Sequence, residues 1–100
     1  MKEYKLFVNG QWVDAKSKET FEDLNPYTGK LYAKIAKAGE EDVDAVMAAA
    51  FDARAVWANT PAPDRFEVLA KAAQLMREQR QDFVDILIDE GGGTIGKAEF

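Results

Sequence analysis

The spacing of apolar residues changes once along the chain, at Gly39. Before it they fall in short runs with a period of two. Leu6-Phe7-Val8 and Gln11-Trp12-Val13 flank Asn9-Gly10, the dipeptide best suited to the two positive φ angles of a type I′ hairpin turn. A second strand pair is predicted over Thr20 to Leu24 and Leu31 to Ala36, joined by Asn25-Pro26-Tyr27-Thr28-Gly29-Lys30. Pro26 fixes φ, Gly29 admits a left-handed residue, and Leu31, Ala33 and Ile35 alternate so that one face points inward. Residues 1–38 therefore read as short antiparallel strands, placed at about residues 4–36.

After Gly39 the period becomes 3.6. Glu40, Glu41 and Asp42 form an acidic first turn that suits a helix N-terminus, and Val43, Val46, Met47, Ala50, Arg54 and Trp57 follow at helical spacing. The predicted helix spans 40–57. Asn59-Thr60-Pro61-Ala62-Pro63 breaks it, and Pro63 with Asp64 opens a second helix over 63–90. Phe66, Leu69, Ala73, Met76, Phe83 and Leu87 keep a three-to-four spacing, but Arg80 falls where the stripe expects an apolar residue. A kink or short interruption is predicted between Gln79 and Gln81. Gly91-Gly92-Gly93 ends the second helix, since glycine costs roughly 1 kcal/mol per residue there relative to alanine.

The pattern defines an α+β segment, with strands in 1–38 and helices in 39–100. A chain of 100 residues supports one modest core, and neither part is large enough to build its own, so residues 1–100 are expected to act as one segment. Trp12 and Trp57 then become candidates to bridge strands and helices. Trp57 is favoured, closing its stripe just before Pro61 and facing the returning helix near Phe66. Phe51 lies off that stripe and would widen the face toward a partner.

Composition narrows the chemistry. The chain contains neither cysteine nor histidine, which removes disulfides, thiolate zinc sites, cysteine nucleophiles, imidazole bases and the Ser-His-Asp triad. Residues 1–38 carry 7 basic and 5 acidic side chains, net +2, and residues 39–100 carry 6 and 13, net −7. The longer part repels phosphate, so no nucleic-acid partner is expected. No apolar run has the length of a signal-peptide core or of the roughly 20 residues of a membrane span, so no membrane partner is expected and the cytoplasm is the default location.

Three constellations could carry chemistry. Gly91-Gly92-Gly93-Thr94-Ile95-Gly96-Lys97 has the spacing of a phosphate-binding loop. Ala98 stands where that loop needs a hydroxyl, and the stretch follows a helix rather than a strand, so a helix-terminating turn is the expectation. Asp85, Asp89 and Glu90 place negative charge near a helix C-terminus, where the macrodipole disfavours it; the alternatives are a solvated face or a cationic partner, either a metal or a basic side chain. Trp12, Trp57, Phe51, Phe66 and Phe83 could line a ligand pocket, but most fall on or beside the stripes and are assigned to the core.

The order of elements also carries a resemblance. Leu6-Phe7-Val8-Asn9-Gly10-Gln11-Trp12-Val13, Phe21, Asn25-Pro26-Tyr27-Thr28-Gly29, Ala38-Gly39 and Asp42-Val43 resemble the opening of the aldehyde dehydrogenase superfamily. The likeness continues through Trp57, Arg65, Leu69, Leu75 and Asp89-Glu90-Gly91, and so covers essentially the whole chain. Gly91 to Lys97 departs from it, being longer and richer in glycine than the Glu-Thr-Gly-Lys turn common in the family.

The resemblance implies a parent enzyme of several hundred residues that uses NAD or NADP and oxidises an aldehyde through a cysteine thioester. The nucleophile, the glutamate base, the oxyanion-stabilising asparagine and the nucleotide-binding glycine motif have no counterpart in these residues. This region would be scaffold within the cofactor domain, with no catalytic or cofactor-binding residue and no bound cofactor of its own. A structural cation site carries over, formed by the backbone carbonyl of Leu24 and the carboxylate of Glu90. The expected partners are the remainder of the aldehyde dehydrogenase chain and further copies in a homo-oligomer. The chain is expected to be an inactive N-terminal segment, a fragment rather than a working enzyme; the alternative is a free-standing interaction module of the same local fold.

Overall fold

A computed structural model describes residues 2–100, which form five strands and four helices: β1 (Lys2–Tyr4), β2 (Leu6–Val8), β3 (Gln11–Val13), β4 (Thr20–Leu24), β5 (Leu31–Ala36), α1 (Glu40–Ala58), α2 (Ala62–Glu78), α3 (Arg80–Gly91) and α4 (Ile95–Glu99). They group into two compact units. The first holds the residues up to Leu24 together with Leu31–Ala58, and the second holds Asn25–Lys30 with Asn59–Phe100.

In the first unit β2 and β3 form the expected antiparallel hairpin, pairing Leu6 with Val13, Phe7 with Trp12 and Val8 with Gln11. Asn9 (φ 49°) and Gly10 (φ 78°) both adopt the left-handed conformation that a type I′ turn requires. The Phe7 and Trp12 rings meet edge to face at 4.7 Å between centroids, an arrangement that aligns the positive ring edge with the negative face. A separate three-stranded sheet has the order β1-β5-β4. Strands β4 and β5 pair antiparallel over the predicted residues, with an irregularity between Asp23 and Leu24.

Strand β1 corrects the expectation of antiparallel strands throughout, because it runs parallel to β5 and pairs Lys2 with Ala33 and Tyr4 with Ile35. Parallel neighbours need a long connection, supplied here by the hairpin and β4. Lys2-Glu3-Tyr4 has no apolar alternation and is exposed throughout. The free edge of β5, not a pattern in β1 itself, calls this strand into being.

Helix α1 begins at the predicted acidic turn, and its N-terminus is tied down by one side chain. Asp42, only 7% exposed, accepts a hydrogen bond from the backbone N–H of Gly39 at 2.9 Å and another from the N–H of Lys16 at 3.1 Å. The first is the backward half of a capping box, with Gly39 at the cap and an acid three residues on. The second fastens the β3–β4 connection to the helix.

The second unit corrects the prediction of one long helix over 63–90. Helix α2 ends at Glu78, and Gln79 (φ −100°, ψ 19°) serves as both its C-cap and the N-cap of α3. The break lies inside the predicted window, but it separates two helices instead of bending one. It also lets Arg80, the residue out of place on a continuous stripe, approach the carboxylate of Glu99 at 3.9 Å. The turn between Asn25 and Lys30 belongs to this unit, and is held by Asn25 Oδ1, which accepts from the N–H groups of Tyr27 and Thr28.

The core is small. The buried apolar residues are Ala15, Ala33 and Ala36 in the first unit and Val84 in the second. Trp12 (65% exposed) and Trp57 (42%) both stay at the surface, as do Val43, Met47 and Phe51 on α1 and Phe66, Leu69 and Met76 on α2. The expectation of a buried, bridging tryptophan is therefore corrected, as is the assignment of the aromatic residues to a core. The helical spacing was read correctly, yet the stripes it marks find no cover within these residues. The chain exposes 8183 Å², against about 5,700 Å² for a folded monomer of this mass.

Candidate functional site

The glycine-rich stretch 91–97 is built from the end of one helix and the start of another. Gly92 adopts the left-handed conformation (φ 66°), and its N–H donates to the carbonyl of Ile88 at 2.9 Å, closing α3. Thr94 then caps α4, its Oγ1 accepting from the N–H of Lys97 at 3.3 Å. The helix-terminating turn was expected and the short helix after it was not. Its signal lay in Thr94, a good N-cap residue.

A cavity of about 160 Å³ opens here, lined by Leu87, Gly91, Gly93, Lys97 and Ala98. The stem of Lys97 lies against Gly93, where an added Cβ would stand 3.4 Å from its Cδ. Gly92 is tighter, since a Cβ there would lie 2.8 Å from Cγ of Pro26. Glycine at 92 is therefore required twice, by its positive φ and by the approach of the Asn25–Lys30 turn. The stretch does not fit a nucleotide pyrophosphate: it follows a helix rather than a strand, and the Gly92 amide is already bonded within α3.

The acidic residues of α3 do not converge. Asp85 accepts a hydrogen bond from the Gln81 side-chain amide one turn earlier at 2.8 Å, Asp89 is half-buried and Glu90 is exposed. Among the described residues no group of three or more His, Cys, Asp or Glu side chains could hold a metal. Of the two residues expected to form a structural cation site, Leu24 ends β4 in the first unit and Glu90 lies in the last turn of α3 in the second.

Aromatic and basic groups meet at two surface points: the Arg54 guanidinium lies over the Phe51 ring at 4.5 Å and Lys2 Nζ lies over Tyr32 at 4.9 Å. A shallow groove of about 260 Å³ runs between the β2–β3 hairpin and α1, lined by Phe7, Val8, Val46, Ala49, Ala50 and Ala53 among others. Two residues matter more than the sequence suggested. Asp42 is a structural tie, legible from its place three residues after Gly39. Arg65, in the first turn of α2, has a buried Nε with no hydrogen-bond partner.

These residues hold surfaces and caps, and the sequence contains no cysteine to serve as a nucleophile. Residues 12–100 match the aldehyde dehydrogenase family, and the chain belongs to it. It is 40% identical over 94 residues to vanillin dehydrogenase of Corynebacterium glutamicum, covering 94% of this chain and 19% of that enzyme. It is 35% identical over 92 residues to 3,6-anhydro-alpha-L-galactose dehydrogenase of Vibrio sp., covering 92% of this chain and 19% of that enzyme. Among solved structures, a 3,6-anhydro-L-galactose dehydrogenase in complex with NAP superposes with a TM-score of 0.93 at 36% identity, over 98% of this chain and 20% of that one. An NAD-dependent benzaldehyde dehydrogenase from Corynebacterium glutamicum gives 0.89 at 40% identity, over 95% and 21%. The chain thus spans about a fifth of the length of the curated relatives it matches, and its fold is that of the N-terminal region of an aldehyde dehydrogenase.

Proposed function

We propose that residues 1–100 serve as a scaffold segment of an NAD(P)-dependent aldehyde dehydrogenase whose catalytic groups lie on other residues of the same polypeptide. The observation that carries this reading is the uncovered surface: 8183 Å² in a chain of 11.1 kDa, with the apolar faces of α1 and α2 among the exposed parts. Polypeptide from the rest of the family's length is the cover such faces are shaped to meet.

In the parent enzyme an aldehyde is oxidised to a carboxylic acid through a cysteine thioester, and NAD or NADP supplies the electron acceptor. The chain's own residues contribute position only. With no cysteine in the sequence, they cannot form the thioester, because a methionine thioether has no thiolate to offer. The isolated chain should therefore show no aldehyde-dependent reduction of NAD or NADP. Activity that survives repurification and scales with protein concentration would overturn this.

Several finer features belong to the same proposal: assembly into a homo-oligomer through the exposed apolar face, residence in the cytoplasm, action of residues 1–100 as one segment, and, from the family likeness, a structural cation held by the Leu24 carbonyl and Glu90. Among the described residues no helix is long and apolar enough to cross a membrane. The test that separates a scaffold segment from a free-standing module is the reading frame. One that continues past Phe100 into a cysteine-containing domain supports the scaffold, and a stop codon directly after Phe100 favours the module.

A further inference from the structure

Asn9 differs from the chain's other asparagines, Asn25 and Asn59, in the residue that follows it and in how little holds it. An asparagine loses its amide when the backbone nitrogen of the next residue attacks its side-chain carbon. Pro26 follows Asn25 and has no N–H to give up, and the β-branched side chain of Thr60 crowds the nitrogen that follows Asn59. The Asn25 side chain is also engaged, its Oδ1 accepting from the N–H groups of Tyr27 and Thr28. Gly10 has no side chain to crowd its nitrogen. Asn9 and Gly10 are both exposed, and a Cβ built on Gly10 would meet nothing within 4 Å.

The hairpin around them is loosely held. Strands β2 and β3 form a sheet of their own, separate from β1-β5-β4, with Phe7, Trp12 and Val13 exposed. A two-stranded hairpin is marginally stable in water, and elements with few buried apolar contacts open first. Opening frees rotation about the Asn9 backbone and lets the Gly10 nitrogen reach Asn9 Cγ.

We propose that Asn9 is a self-modifying site, converted with water as the only co-reactant to a mixture of aspartate and isoaspartate. The Gly10 nitrogen gives its proton to solvent base and bonds to Asn9 Cγ; the bond from Cγ to the side-chain nitrogen breaks, and ammonia leaves. Water then opens the five-membered imide. Attack at Cγ yields aspartate, and attack at the main-chain carbonyl yields isoaspartate, with no change of oxidation state in either case. Isoaspartate carries an extra methylene in the main chain, so the pairing of Val8 with Gln11 and of Phe7 with Trp12 cannot be kept across the turn. Both products place a new negative charge on the groove that Asn9 lines beside Val46 and Ala49.

The test incubates the 100-residue chain in mildly alkaline buffer. Trypsin cuts after Lys5 and Lys16 and so isolates Asn9 from the other asparagines. The Leu6–Lys16 peptide should gain the mass of an NH-for-O exchange and accept enzymatic methylation at isoaspartate, while the peptides carrying Asn25 and Asn59 stay unchanged over the same time. Asn9→Gly leaves a Gly-Gly pair that a type I′ turn accepts, and should abolish the acidic product. Urea that unfolds the chain should speed the conversion several-fold, and the isoaspartate fraction separated by ion exchange should lose amide-exchange protection in residues 6–13. A Leu6–Lys16 peptide that keeps its mass, or an acidic product of undiminished yield in Asn9→Gly, would overturn the site. Equal rates with and without urea would overturn the role of hairpin opening, and retained protection in residues 6–13 would overturn the loss of pairing.

Discussion

Asp42 offers the sharpest test of how the first unit holds together. Its carboxylate is buried and accepts two backbone hydrogen bonds, at 2.9 Å from Gly39 and 3.1 Å from Lys16. Replacing it by alanine strands both donors in partly buried positions and removes a negative charge from the first turn of α1. A hydrogen bond to a charged group contributes about 1.5–3 kcal/mol, and lost caps cost about 0.5–2 kcal/mol. Water reaches these partly buried amides and offsets some of the loss, so about 2–4 kcal/mol is expected for Asp42→Ala. With a urea dependence of about 1–3 kcal/mol per molar for a small protein, the midpoint should fall by at least about 0.7 M. Asp42→Asn keeps one acceptor oxygen but turns an amide donor toward the second N–H, and should recover only a minority of the loss. Far-UV circular dichroism in urea gives the midpoints, and amide exchange at Lys16 and Gly39 reports the two bonds individually. A midpoint for Asp42→Ala indistinguishable from the parent's, with unchanged exchange at both amides, would refute the tie.

Two further outcomes follow from the structure. Gly92→Ala should destabilise the chain by more than Gly10→Ala in urea denaturation. Both positions have positive φ, but only at 92 would the new Cβ meet a neighbour, Cγ of Pro26 at 2.8 Å; the left-handed conformation alone costs about 1–2 kcal/mol. Adding Pro26→Ala should abolish the difference between the two sites and leave only the φ penalty, whereas a difference that persists would place the clash elsewhere. The isolated chain, with Met47, Phe51 and Phe66 each more than half exposed, should self-associate in sedimentation velocity and enhance the fluorescence of an apolar dye. A monomer at high concentration that leaves the dye dark would contradict the surface described above.

The parts of the fold that were legible in the sequence are those fixed by local chemistry. Asn9-Gly10 sets its hairpin through the φ angles it accepts. Leu31, Ala33 and Ile35 alternate, and Glu40-Glu41-Asp42 marks a helix start. Strand β1 was hidden because Lys2-Glu3-Tyr4 has no periodic signal and is recruited by the edge of β5. The division of α2 from α3 was visible at Arg80 as a fault in the stripe, but periodicity cannot distinguish a bend from a new helix. The burial of Trp57 was misread for a related reason. Helical spacing shows which face seeks cover, and says nothing of whether the cover lies within the same hundred residues. The glycine run was legible as a helix stop, whereas the contact of Gly92 with Pro26 brings together residues far apart in sequence and left no local trace.

The central claim is that these residues complete an aldehyde dehydrogenase by supplying its N-terminal scaffold. The direct measurement is aldehyde-dependent reduction of NAD or NADP by a chimera in which residues 1–100 replace the matching fifth of the Corynebacterium glutamicum vanillin dehydrogenase. The account predicts a folded chimera that turns over aldehyde, because the grafted segment presents the surfaces that the other four fifths of the enzyme pack against. A chimera that is insoluble, or folded but inactive, while the enzyme carrying its own segment is active under the same conditions, would contradict it.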